Sequence, residues 1–147
     1  MKKIALKYGT LMFAGFAILF LFVHLLGWSQ HYYLRVLNGF IHLGFIYLAI
    51  RDYRRAFPST RDNYLLGVSA GFYTSIIGVT LFTVAICLFL ALDRPFFELL
   101  KTRAPYREYF TPVTASLFIF VEGIVVSLIG SYLVTRVIDA RLEQVKS

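Results

Sequence analysis

The feature that most constrains this chain is a predominantly apolar run of 26 residues from Val113 to Ile138. A helix of about 20 such residues crosses a bilayer, so the run is long enough to span one. Its single acidic residue, Glu122, lies nine residues in from Val113, which is about 14 Å deep along a helix. Because a charge near mid-membrane costs roughly 3 kcal/mol on insertion scales, another part of the fold must offset that cost.

Three further apolar runs precede this one, and the composition fits a membrane protein. The 147 residues are 59% hydrophobic and only 16% charged, whereas a soluble domain has about 25% charged residues. The polar segments between the runs are too short for a soluble domain. The sequence therefore predicts an all-α membrane protein, one domain over residues 1–147, with four transmembrane helices in one bundle. The predicted spans are residues 9–27, 33–50, 64–92 and 113–138.

The link between the third and fourth spans is the longest, and it predicts a short interfacial helix. Asp93 can cap this helix, and Pro95 suits its first turn. Phe96, Leu99 and Leu100 then form an apolar stripe, which is typical of a helix lying in the membrane interface. A structured loop without a helix is the alternative.

Small residues recur at helical spacing on the third and fourth spans. Such stripes let helices approach closely, and close packing drives helix association in lipid. We expect them to be packing faces. They comprise Gly67, Gly71, Ser75 and Gly78 on the third span, and Ser116, Gly123, Ser127 and Gly130 on the fourth.

The second span carries polar residues that could meet Glu122. Arg35, Asn38 and His42 share one face of a helix. His42 lies nine residues in from Tyr33, so it matches the depth of Glu122 if the two spans enter from the same surface. This candidate polar centre suits proton relay or the binding of a cationic or hydroxylated ligand. Alternatively, the contact only ties two helices together.

The positive charge of the chain predicts its orientation in the membrane. Lys and Arg mark cytoplasmic loops, and ten of the 15 would lie on the N-terminal side of the bundle against five on the other. We therefore expect both termini in the cytoplasm, and we interpret the net charge of +7 as a topology signal. No nucleic-acid partner is expected.

The sequence gives little support to an enzyme, a metal site or a cofactor. HExxH, GxGxxG and P-loop patterns do not occur, and the single cysteine, Cys87, excludes an internal disulfide or a cysteine-rich metal site. His24 lies only four residues before Trp28, so it is shallower than His42 and a poor partner for it in a haem or zinc site. We predict no catalytic residues, no metal and no cofactor; an enzyme acting on lipid or quinone ranks last.

The segment from Phe45 to Gly78, FIYLAIRDYRRAFPSTRDNYLLGVSAGFYTSIIG, resembles the middle of a family of small four-span bacterial membrane proteins. That family is catalogued as a domain of unknown function and is common in Bacteroidetes. The likeness extends to the MKK start, the I-x-x-Y-R pattern that ends the second span and the glycine-bearing third span. In this chain, Arg residues and Pro58 replace the usual Gly- and Lys-rich second loop. The resemblance implies a bacterial inner membrane and supplies no catalytic residues.

Two functions remain open. The first is a non-enzymatic accessory or structural subunit of the inner membrane, surrounded by the lipid bilayer and assembled as a homo-oligomer or within a larger membrane complex. The alternative is a small proton-coupled carrier or channel that uses Glu122 and His42.

Overall fold

The fold is helical throughout the part of the chain that the structure describes. A computed structural model describes residues 1–28, 35–60, 63–104 and 107–144, and the predicted start of the second span, at residue 33, lies outside them. Short 3-10 turns occur at Pro58–Thr60 and Arg107–Tyr109. The α-helices are α1 (Lys2–Leu25), α2 (Arg35–Ala56), α3 (Tyr64–Leu92), α4 (Arg94–Arg103) and α5 (Pro112–Gln144).

The four long helices alternate in direction. Side chains of α1 meet α3 in increasing order along both helices, from Gly9 beside Ile77 to Phe20 beside Phe89, so α1 and α3 run parallel. Helix α5 meets α3 in reverse order, and Tyr8 of α1 bonds to Asp52 near the end of α2. The start of α1 and the end of α5 therefore lie at the same end of the bundle.

Helix α3 is the centre of the bundle, since it packs against α1, α2 and α5. The fully buried apolar side chains form one core between these helices. Burial of this kind fixes how the helices face one another, while the remaining apolar surface points outward. The core includes Met12, Phe16, Ile46, Ile50, Val79, Phe82, Ile86 and Leu90.

Large apolar side chains also cover the outside of the bundle. A soluble protein rarely exposes such a continuous apolar surface, whereas a membrane protein presents one to lipid. The most exposed examples include Leu6, Ile18, Phe40, Leu65, Leu88 and Phe118.

Among the described residues, three helices are long and apolar enough to cross a membrane, namely α1, α3 and α5. The predicted count of four includes α2, which is not among them. Helix α2 is less apolar because Asn38 and His42 lie in its first half and four of residues 51–55 are charged. Composition thus supports a membrane protein, whereas hydropathy alone does not identify α2 as a fourth span.

The helices run further than the predicted spans at three ends. Helix α1 begins at Lys2, before the predicted span at residue 9. Helix α2 continues to Ala56 and α5 to Gln144, beyond the predicted span ends at residues 50 and 138. Polar residues can continue a helix beyond the apolar stretch because the backbone hydrogen bonds stay within the helix. Hydropathy therefore marks the apolar stretch and underestimates the helix.

A short helix occupies the predicted position between α3 and α5. Asp93 caps α4 by accepting a hydrogen bond from Phe96 N at 3.1 Å. Phe96, Phe97 and Leu100 pack against the core, while Leu99 is exposed. The helix and its cap match the prediction; its position at a membrane interface stays a prediction.

Candidate functional site

A cavity of about 130 Å³ lies between α1, α2, α3 and α5. Its walls include Phe16, nine residues before the end of α1, and Val79, 13 residues before the end of α3. These positions are about 14 and 20 Å from the helix ends. The cavity is therefore near the middle of the bundle. Asn38, His42 and Glu122 all line it.

His42 is the buried polar group of this cavity, with only 4% of its surface exposed. Its Nε2 lies 3.1 Å from Ser127 Oγ, and the Ser127 hydroxyl donates to Gly123 O at 2.6 Å. Because that proton is already committed, His42 Nε2–H is the donor to Ser127. Neutral His42 therefore keeps its lone pair on Nδ1.

Asn38 lies one helical turn from His42 on α2. Its Oδ1 is buried, and among the described residues it has no hydrogen-bond partner. A buried acceptor of this kind costs roughly 1–3 kcal/mol unless a partner satisfies it. Asn38 thus presents a polar atom at the cavity that a bound molecule could satisfy.

Glu122 lies at the surface of the bundle while also lining the cavity. The next residue, Gly123, holds α5 close to α3, since a Cβ added there would come within 2.6 Å of Val79 Cγ1. Glu122 therefore marks the mouth of the cavity between α2 and α5.

The polar centre predicted from the sequence comprises four residues, and the structure describes the side chains of three of them. Asn38, His42 and Glu122 share one cavity, whereas the side chain of Arg35 lies outside the described residues. The functional role of these groups stays a prediction.

The small residues on α3 meet different neighbours at different heights. A Cβ on Gly71 would contact Ser131 and Ile50, whereas a Cβ on Gly78 would contact Met12. The stripe therefore meets α2 and α5 near the start of α3, and α1 further along. Ser75 is fully buried on the same stripe.

The small residues on α5 lie on its inner side. Ser116 and Ser127 are buried, and a Cβ on Gly130 would come within 2.7 Å of Leu43 on α2. Ser116 donates to Pro112 O, one turn earlier, at 2.7 Å. The stripe thus faces α2 and α3.

A buried ion pair near one end of the bundle was not anticipated from the sequence. Arg54 is 1% exposed, and its Nε and Nη2 donate to Asp139 at 3.1 and 2.8 Å. Its Nη1 donates to Asn63 O at 3.2 Å. Gly67 leaves room for the guanidinium, because a Cβ there would come within 2.8 Å of Arg54 Nη2.

The predicted second and fourth spans end at residues 50 and 138, before Arg54 and Asp139. Helix α2 continues through Arg54, however, and α5 continues through Asp139. The sequence signal that could have revealed the pair is a polar residue at every fourth position of α5. The residues on this face are Ser127, Ser131, Thr135 and Asp139. That face is directed at α2 and α3, because Ser127 lies beside His42 while Ser131 lies beside Gly71.

Three further polar contacts lie near the two ends of the bundle. Tyr8 OH donates to Asp52, which also lies 3.6 Å from Arg51 Nη2, at the same end as Arg54. At the opposite end, His24 Nε2 lies 3.8 Å from Asp93 Oδ2. His24 is thus separated from His42, which packs against Phe16 two turns earlier on α1.

Residues 67–71 read Gly-Val-Ser-Ala-Gly and match the GxSxG pattern of serine hydrolases. That pattern requires a sharp turn between a strand and a helix. Here all five residues lie inside α3, so the pattern does not form a nucleophile elbow. Among the described residues, no three His, Cys, Asp or Glu side chains could hold a metal ion together.

Comparison with known proteins gives a family and no individual relative. No curated protein and no solved structure matches the chain. A family model, described as a protein of unknown function (DUF4199), matches residues 7–105. The matched stretch covers most of α1 and all of α2, α3 and α4, while Glu122 and Asp139 follow it. The predicted membership in a domain of unknown function is confirmed, and the chain belongs to the DUF4199 family.

Proposed function

We propose that this chain is a four-span protein of the bacterial inner membrane that serves as a non-enzymatic accessory or structural subunit. Both termini would lie in the cytoplasm, as the excess of Lys and Arg at that end of the bundle favours.

The packing of α2 supports the fourth span. Helix α2 runs between its neighbours, with Ile46, Ala49 and Ile50 fully buried. Its outward side presents Val36, Phe40 and other exposed apolar side chains. Because α1, α3 and α5 are long enough to cross a bilayer, a helix packed alongside them would lie at the same depth.

The accessory role is supported by the apolar surface of α5 that the other helices leave uncovered. Only 17% of its most apolar stretch is buried within the chain, against 33% for α3. That surface could contact lipid or a neighbouring subunit. A face this broad leaves room for a second helix without rearrangement of the bundle.

Purification in mild detergent would test the subunit role through particle mass and co-purifying proteins. We expect a mass above that of one chain. Val125→Trp on the exposed side of α5 should reduce that mass, whereas Val84→Trp on the exposed side of α3 should not. A strictly monomeric wild-type protein without partners would contradict the proposal.

A second function, a small proton-coupled carrier, is favoured by the cavity. Transporter sites commonly lie near mid-membrane, where helices meet, and intramembrane acids often serve proton relays. Proton uptake into liposomes would test it by comparing wild type with Glu122→Gln. Equal uptake by the two proteins would rule out a carrier that uses Glu122.

A further inference from the structure

Basic side chains flank the groove between α1 and α2, near the end of the bundle where α1 begins. Lys7 Nζ lies 4.9 Å from the ring centroid of Tyr8, and Tyr8 OH donates to Asp52 of α2. Arg51 Nη2 lies 3.6 Å from the same carboxylate. Lys7 and Arg51 therefore lie on either side of one contact between the two helices.

A second pair of basic residues extends this groove toward the end of the bundle. One turn further out on each helix, Lys3 and Arg55 are both exposed. Because α1 and α2 are antiparallel, these two positions also lie at about the same height. The groove thus has four basic side chains against the Asp52 carboxylate, namely Lys3, Lys7, Arg51 and Arg55.

The Arg51 guanidinium is poorly satisfied by the described residues. Its Nε is buried and makes no hydrogen bond to any of them, and the 3.6 Å between Nη2 and Asp52 is too long for a hydrogen bond. Arg54, on the inner side of the same helix, instead donates to Asp139 and to Asn63 O. Guanidinium groups bind phosphate through two parallel hydrogen bonds. Arg51 is therefore suited to a phosphate from outside the chain.

The outward side of α2 next to Arg51 leaves room for an acyl chain. Gly44 lies about two turns earlier on the same face, where it is exposed, and no atom lies within 4 Å of a Cβ added there. Phe40, one turn beyond Gly44, is 70% exposed. An apolar strip thus continues from the basic groove to a depth about 10 Å greater than that of Arg51.

We propose that the groove between α1 and α2 binds an anionic phospholipid. Its phosphate lies between Lys7 and Arg51, and an acyl chain follows the Gly44 side of α2. Basic pockets between transmembrane helices bind such headgroups, and Lys and Arg bury their apolar stems while the charge reaches the interface. The apolar strip selects a lipid over a free phosphate. This inference goes beyond the proposed functions, since it requires a bilayer and neither a partner subunit nor transport.

Native mass spectrometry of the purified full chain in detergent tests the proposal with two lipids that share their acyl chains. Phosphatidylglycerol carries a net negative charge, whereas phosphatidylcholine is neutral overall. Because each basic residue near a lipid surface contributes about a factor of five in affinity, we expect at least about tenfold tighter binding of phosphatidylglycerol. This comparison uses wild-type protein alone, so it does not depend on any variant folding. Equal binding of the two lipids would overturn the proposal.

Lys7→Gln combined with Arg51→Gln should abolish most of this preference, because it removes two charges of the groove. Arg136→Gln combined with Arg141→Gln is the matched control, since it removes two exposed charges from α5 at the same end of the bundle. The control should keep the wild-type preference. Equal loss in both double variants would show that net charge rather than the groove selects the lipid, and it would overturn the proposal.

A competition experiment separates the lipid from its headgroup. Glycerol 3-phosphate carries the phosphate without acyl chains, and at equal concentration it should leave phosphatidylglycerol bound to the wild-type chain. Displacement of the lipid under these conditions would show that the phosphate alone is recognised, which would contradict a lipid site.

Discussion

At the scale of single residues, the arginine at the end of α2 illustrates how a charge can be buried in a small membrane protein. Arg54 makes two hydrogen bonds to Asp139 and one to the backbone. A buried pair is costly to form, yet removing one partner strands the other charge. Gly67 and Asp139 lie on different helices, so the guanidinium links α2, α3 and α5.

Arg54→Ala should therefore destabilise the protein by roughly 3–5 kcal/mol. The neighbouring Arg55 is exposed, and Arg55→Ala should change stability by less than about 0.5 kcal/mol. Thermal unfolding in detergent measures both variants. If the two substitutions had equal effects, the ion pair would not be a determinant of stability.

At the scale of helices, close approach between α5 and α3 depends on a residue without a side chain. Val79 occupies the space that a Cβ on Gly123 would need. The same contact positions Glu122 beside the cavity and Ser127 within hydrogen-bond distance of His42. The packing of one pair of helices thus decides the shape of the candidate site.

Gly123→Ala should destabilise the bundle by about 1–3 kcal/mol through overpacking. Val79→Ala in the same chain should recover part of that loss, because it vacates the space. Gly44→Ala is the control, since no atom lies within 4 Å of its added Cβ, and it should be neutral or stabilising by up to about 1 kcal/mol. Unfolding in detergent distinguishes these outcomes; no loss with Gly123→Ala would refute the contact.

The cap of α4 gives a second prediction at this scale. Asp93 accepts from Phe96 N and lies near His24. Asp93→Ala should weaken α4 by about 1 kcal/mol, which hydrogen exchange of the α4 amides would detect. Asp93→Asn keeps a capping oxygen and should protect α4 nearly as well; similar exchange in both variants would show that the cap is dispensable.

At the scale of the whole molecule, alternating helix directions place Lys3 and Arg141 at one end and Tyr109 at the other. Cys87 is the single cysteine of the chain, so a Cys87→Ser background allows new cysteines to be labelled one at a time. Labelling of these cysteines then reports which end of the bundle lies on which side of the membrane.

In intact cells, an impermeant maleimide should label Tyr109→Cys and spare Lys3→Cys and Arg141→Cys. All three should react after the membrane is permeabilised, which controls for reactivity. Labelling of Lys3→Cys and Arg141→Cys on opposite sides would contradict four spans. Labelling of both from outside would retain four spans and reverse the orientation.

The sequence by itself determined the apolar helices, the faces with small residues and the family. Each of these depends on composition and on the spacing of residue types within one segment. Lipid stabilises an apolar helix regardless of where that helix lies in the bundle. It also indicated that His42 and Glu122 lie at similar depth, because depth follows from counting residues along a helix.

Only the tertiary structure decided which groups meet across helices. Ser127 bonds to His42, Asp139 pairs with Arg54, and the glycine stripe of α3 divides between two sets of neighbours. Sequence spacing fixes the face of a helix and leaves open which helix covers that face and at what height. Those choices follow from side-chain packing between segments that are distant in the chain, and packing is the interaction that joins helices in lipid.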